Sequence, residues 1–217
     1  MIQALVLTWC LILAHELTIA APPTRSSDDR LFLDQLAATV LESAKVPSHA
    51  HIPTGPTNTT SYTLRVPGGT QKYYPAFWIR DTALMLGGDF IPAPEMEGWI
   101  RLIAATQAGP PGLRFGKLVV PPFSIPDHIT LSGEPCWYPG AYTEQGNGTF
   151  GFLPPADDAF YFIQMVHEHW RLTGSLALFQ STVKTSWSTP QLSEVCRKAF
   201  DSVAADGCVD LAIRGNP

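Results

Sequence analysis

Two segments of the chain concentrate groups that can act on a hydroxylated ligand. Residues 73–84 bring together Tyr73, Tyr74, Phe77, Trp78, Arg80 and Asp81. The second segment runs from Thr143, Glu144, Gln145 and Gly146 to Asp157, Asp158, Phe160 and Tyr161. Each sets aromatic rings and ionisable side chains in a loop where an apolar helix begins. A guanidinium donates in a fixed fork and a carboxylate only accepts, so Arg80 beside Asp81 suits a pair of adjacent hydroxyls. Tyr74, Trp78 and, ahead of the second segment, Trp137 supply flat platforms for pyranose faces. Together these are the substrate-binding candidates of a sugar site. A structural role competes with that reading. Asp81 can complement a helix start, Arg80 can pair with it, and the aromatics can belong to the core.

The catalytic candidates are Glu144, Asp157 and Asp158. Glu144 lies in a loop beside Trp137, Tyr138 and Tyr142, and a carboxyl among aromatics can hold its proton to higher pH, as a general acid requires. Asp157 and Asp158 stand at a helix start, where capping is their alternative role. Glycoside hydrolysis asks for two carboxyl groups flanking the bond, about 6.5–9.5 Å apart for inversion. Asp81, Glu144, Asp157 and Asp158 supply enough of them, and two carboxyls with a water need no cofactor.

Other chemistries find less support. No G-x-S-x-G occurs, and no glycine-rich phosphate loop follows a strand. The cysteines and histidines lack zinc spacing. His167 and His169 fall on nearly opposite faces of one helix and read as partly exposed residues, so no metal site is expected. With 14 Lys+Arg against 19 Asp+Glu and no basic block, a nucleic-acid partner is not expected.

The elements that must carry these residues are mostly helical. Hydrophobic periodicity predicts a helix over 30–45, capped by Asp28 or Asp29, with Leu33, Leu36, Ala37, Val40, Leu41 and Ala44 inward. A short helix over 80–86 follows, closed by Gly87 and Gly88. Pro94 marks the start of a helix through Ala108. Residues 157–172 are apolar on nearly every side, which predicts burial between other elements, and Thr173, Gly174 and Ser175 turn the chain. Shorter helices are expected over 176–183 and from Thr189-Pro190 through Phe200. Two Pro- and Gly-rich connections, 46–76 and 109–156, have the length of functional loops, with short strands at 62–66 and 117–120. Helical hairpins joined this way predict antiparallel helix pairs side by side.

Ala4–Ala14 is an apolar run followed by small residues, which reads as a secretory signal over residues 1–21 with cleavage near Ala20 or Ala21. No Lys or Arg precedes it, and a buried first helix is the competing reading. The run is too short for a stable membrane span, which takes about 20 residues. The expectation is a secreted or periplasmic single domain over 22–217. Cys10 would leave with the signal, and Cys196 and Cys208 are the nearest remaining pair. Asn58-Thr59-Thr60 and Asn147-Gly148-Thr149 are glycosylation sequons.

The segment from Phe77 to Leu84 resembles the W-x-R-D segment of glucoamylase-like enzymes in the six-hairpin (α/α)6 glycosidase superfamily. The resemblance implies that Arg80 and Asp81 contact the sugar of the −1 subsite and that Trp78 forms its wall, without transferring protons. Asp157 to Ile163, continuing through Trp170 to Ser175, resembles a recurring inner helix of the same superfamily, with an acidic residue facing the active-site loops. The likeness covers about half of the mature chain. It implies a mainly α toroid of antiparallel hairpins acting on the non-reducing end of an oligo- or polysaccharide. About 195 mature residues amount to half a ring. The chain is then expected to be an N-terminal portion whose open side favours self-association, able to bind sugar without turning it over. The rival expectation is a non-catalytic secreted helical module that binds sugar or protein through its aromatic loops.

Overall fold

The computed structural model describes residues 26–53, 55–67, 75–138, 145–147 and 153–205. Contacts divide the chain into a unit ending at Ala37 and one beginning at Ala38. Helix α1 (Ser27–Ser43) starts with Ser26 Oγ accepting from the Asp29 amide, while Ser26 N donates to the Asp29 carboxylate. Its predicted inward face is mostly solvent-accessible. Leu33, Leu36 and Val40 are exposed, as are Leu31 and Phe32, whereas Leu41 and Ala44 are buried.

The second unit is not a set of helical hairpins, and the toroid expectation is corrected: the architecture is mixed, with three small antiparallel sheets among the helices. The physical reason lies in the two long connections. Backbone N–H and C=O groups that pack inside a domain need partners, and short apolar stretches within these connections find them by pairing. Strands β1 (Lys45–Val46) and β2 (Leu64–Arg65) pair with Val46 opposite Leu64. Strand β3 (Ala76–Trp78) pairs with β6 (His128–Thr130), which also pairs with β7 (Pro135–Cys136). Strands β4 (Leu113–Phe115) and β5 (Leu118–Val120) form the third sheet. Of these, β2 and β5 fall where the sequence predicts strands.

Asn58 organises the first connection. Fully buried, it donates from Nδ2 to the carbonyls of Val46, Pro47 and Tyr62, and its Oδ1 accepts from Thr60 N and Oγ1. This sequon is therefore a structural hub. Asn147, by contrast, is exposed.

Helix α2 (Ile79–Leu84) continues directly from β3. Helix α3 (Ala93–Thr106) follows, with Pro94 in its first turn. It is buried on most sides, through Met96, Trp99, Ile100, Ile103 and Ala104. Gly98 lets the Tyr62 ring lie on the helix, since a Cβ there would stand 2.8 Å from Tyr62 Cδ1. Arg65 is almost completely buried, yet its charge is met: Nε reaches Glu95 Oε1 at 2.7 Å, and a second nitrogen donates to the Leu41 carbonyl. Helix α4 (Asp158–Thr173) packs against α2, α3 and α6 (Leu192–Ala205), and α6 also packs against α5 (Ala177–Gln180). Gly174, at φ 64°, ends α4 with its N–H on the Trp170 carbonyl at 2.7 Å, the left-handed cap that glycine adopts without a Cβ penalty.

The expectation that α4 is buried all round is also corrected. Ala159, Phe162, Met165 and Val166 face the core, while Phe160 and Trp170 remain exposed. His169 is buried and His167 is exposed, so the reading of both as partly exposed fails for His169. A separate small cluster gathers Ala108, Leu118, Val120, Trp137 and Tyr138.

Candidate functional site

The site forms where the β3–α2 junction meets the start of α4. Strand β3 places Trp78 opposite His128 on β6. That cross-strand position lets the two rings stack, with centroids 4.1 Å apart and planes 21° from parallel. His128 Nδ1 lies 2.8 Å from Asp127 Oδ2, and both residues are buried. Asp127 is itself fixed by backbone bonds: its N–H donates to the Cys136 carbonyl, and its own carbonyl accepts from Ile79 N. One residue past the strand the chain enters α2, and the helix turn carries Arg80 and Asp81 to the surface.

Arg80 does not pair with its neighbour Asp81. Its Nη2 bonds Asp157 Oδ1 at 2.9 Å, across 77 residues of sequence. Both side chains are a little under half exposed, so the pair faces solvent. The guanidinium also stands 5.9 Å from the centre of the Tyr161 ring, one turn into α4. Burial works against its charge, but Asp157, Asp158, Asp127 and Tyr161 outweigh that and raise its pKa. Asp81 is exposed in the first turn of α2, and no side chain caps that helix.

The capping role foreseen for the acidic pair of α4 is not realised, since neither Asp157 nor Asp158 makes a side-chain cap bond. Asp157 turns to Arg80. Asp158 has no exposed surface, and neither of its carboxyl oxygens has a hydrogen-bond partner among the described residues. Burial, then the charges of Asp127, Asp157 and Asp81, push this carboxyl up to about 9 against the opposing pull of Arg80. A buried anion without donors is costly, and the group keeps its proton instead.

Four of the eight predicted residues therefore meet in one place: Arg80, Asp81, Asp157 and Asp158, with Trp78 beside them against His128. Trp137 does not join them, because it is buried in the second apolar cluster and its backbone N–H is held by Gln145 Oε1 at 2.8 Å. Tyr74 and Glu144 lie outside the described residues. Asp127 and His128 escaped the sequence reading. Their signal was a polar pair set between Ile125 and Ile129, where a surface loop would not carry such flanking residues. A narrow cleft adjoins α4, lined by Pro121, Ile125, Pro154, Pro155, Ala156 and Ala159 among others, and holds none of the charged groups.

Among the described residues no set of three or more His, Cys, Asp or Glu side chains is arranged to hold a metal ion. Nor is any helix among them long and apolar enough to cross a membrane. No family model matches the chain, and no curated protein or solved structure matches it either.

Proposed function

We propose that this chain binds carbohydrate at the Trp78–Arg80–Asp81–Asp157 surface and acts as, or forms part of, a glycoside hydrolase. The observation that carries the reading is the convergence of two distant segments on one exposed ion pair, with a proton-bearing carboxyl buried against it. Arg80 offers donors in a plane, Asp81 and Asp157 offer acceptors, and such a set suits adjacent sugar hydroxyls. Trp78 forms the apolar wall. Asp158 is the carboxyl held protonated at neutral pH, which is the state required to protonate a leaving glycosidic oxygen. A water deprotonated by a second carboxylate, Asp81 or Asp157, would then take the anomeric carbon. The apolar run at the N-terminus supports export, so the substrate would be met outside the cytoplasm.

One observation favours a second reading, a sugar-binding module without turnover. Asp158 has no exposed surface, so a glycosidic oxygen reaches it only after a covering group gives way. The deciding experiment incubates the purified chain with α- and β-linked oligosaccharides while recording thermal shifts. Turnover abolished by Asp158→Asn supports hydrolysis, and stabilisation without turnover supports the binding module. Arg80→Ala should abolish the sugar response in either case with little change in stability, because an exposed pair contributes about 0–1 kcal/mol. A folded protein that responds to no sugar refutes both.

A further inference from the structure

On elements that contribute nothing to the sugar site, we infer that Phe123 and Trp187 form a binding site for a trimethylammonium group of the choline type, a site that Lys198 occupies and such a ligand takes over. The Lys198 Nζ, on α6, stands 4.1 Å from the centre of the Phe123 ring and 5.3 Å from that of Trp187. Both lie within the roughly 6 Å over which a ring face attracts a cation. The two rings meet edge to face, with centroids 5.4 Å apart and planes at 76°, so they present two differently oriented surfaces to the charge. Glu194, one turn earlier in α6, adds a carboxylate oxygen 3.7 Å from the ammonium. Two rings and a carboxylate around one positive charge are the parts of an aromatic cage. The Lys198 side chain is 21% exposed and both rings are half-buried, so a solute can reach the place that the ammonium holds.

The rings are positioned independently of the lysine. Phe123 is third in a turn closed by the Ser124 N–H on the Pro121 carbonyl at 3.3 Å, with Pro122 second. Its φ of 65° lies in the left-handed region, where the third position of a type II turn favours glycine. A phenylalanine there is strained, and such strain persists where the surroundings fix it and the side chain has a use. Gln107, fully buried, supplies the fixing. Its Nε2 donates to the carbonyls of Phe123 at 3.0 Å and Val195 at 3.2 Å, and its Oε1 accepts from Trp187 Nε1 at 3.3 Å. Thr185 Oγ1 holds the Trp187 backbone by accepting from the amides of Trp187 and Ser188. None of these bonds involves Lys198, so the cage keeps its shape when the ammonium leaves. A methylated ammonium suits ring faces better than the lysine's own. The primary ammonium is strongly hydrated and brings three donors that the rings do not satisfy, whereas a trimethylammonium group brings none. Lys198 is tethered beside the cage and competes at a high effective concentration, which weakens ligand binding to the intact chain.

The test is calorimetric titration of choline into the full chain, with NMR of Lys198 in parallel. The wild-type chain should bind choline, and Lys198→Ala should bind it at least tenfold tighter. The carbon analogue of choline, with a tert-butyl group in place of trimethylammonium, should bind neither protein. Trp187→Ala should remove binding from both. In the wild type, where folding is not in question, the rings should hold the Lys198 ε-methylene proton signals upfield, and choline should return them to their ordinary position. Phosphatidylcholine vesicles, mixed separately with the chain, identify the source of the group. Sedimentation with the vesicles assigns it to a lipid headgroup, and binding of free choline alone assigns it to a small solute. A folded Lys198→Ala that ignores choline overturns the inference, as does equal binding of the neutral analogue. Should that variant not fold, Lys198 signals in the wild type that do not move at saturating choline overturn it equally. Each of these results leaves the sugar-site reading as it stands.

Discussion

Replacing Asp158 by Asn keeps the shape of the side chain and removes its titration. In the folded chain this carboxyl holds its proton to about pH 9, and its ordinary value is 3.8. Between those values the folded chain binds a proton that the unfolded chain has released. Stability is therefore greatest below the unfolded value and declines as pH rises towards the folded one, by about 1.4 kcal/mol per pH unit. From pH 5 to pH 8 the wild-type chain is expected to lose about 4 kcal/mol that Asp158→Asn retains. The amide also sits without partners, but that cost does not change with pH and drops out of the slope. Urea denaturation of both proteins at several pH values between 5 and 8 measures the difference directly, since contributions from other groups largely cancel. Parallel curves for the two proteins, or a carbon-detected NMR titration placing Asp158 near 4, would refute the argument that burial keeps it protonated.

The buried Arg65–Glu95 pair should behave differently from the exposed Arg80–Asp157 pair. Glu95→Ala strands a guanidinium in the core and should cost about 3–5 kcal/mol in the same denaturation assay, whereas a joint Arg65→Met and Glu95→Leu exchange should cost much less. Asn58→Ala removes the donors of three carbonyls at once and should lower stability by about 3 kcal/mol or more, seen as an earlier urea midpoint with no gain in any other property. Cys136 and Cys196 are buried free thiols, each pushed up to about 12, mainly by burial. At pH 8 only about one in ten thousand would be thiolate, so neither should react with a disulfide reagent until denaturant is added. Rapid labelling of the native chain at either position would contradict their placement.

The helices were legible because their signals are local. Pro94 near the start of α3, Gly174 after α4 and the apolar spacing between them all act within a few residues, and the structure places each element within a few positions of the sequence reading. The sheets were less so: β1 and β3 exist only through partners distant in sequence, and the β4–β5 and β6–β7 hairpins are too short to show an alternating pattern. Burial misled in both directions. Leu33, Leu36 and Val40 have the spacing of a core face yet are exposed, while His169 carries a polar ring and is buried. At the site, residue types exposed Arg80, Asp81, Asp157 and Asp158 as candidates. They did not show that Arg80 would choose Asp157 over the adjacent Asp81, which depends on where α4 begins in space. The stacking of His128 on Trp78 depended in turn on the β3–β6 register.

Asn58 has a consequence for how the protein can be made. Its triplet is an acceptor for N-linked glycans, but all the polar atoms of its side chain are consumed in holding the 46–62 connection closed. Where oligosaccharide is transferred to a chain still emerging through a membrane, enzyme and fold compete for the same amide nitrogen. A glycan that arrives first replaces one of the two N–H donors that Val46, Pro47 and Tyr62 share, and its bulk cannot enter a site with no exposed surface. The choice of host thus becomes a folding variable: a glycosylating host should yield a modified, unfolded fraction that a bacterial host does not.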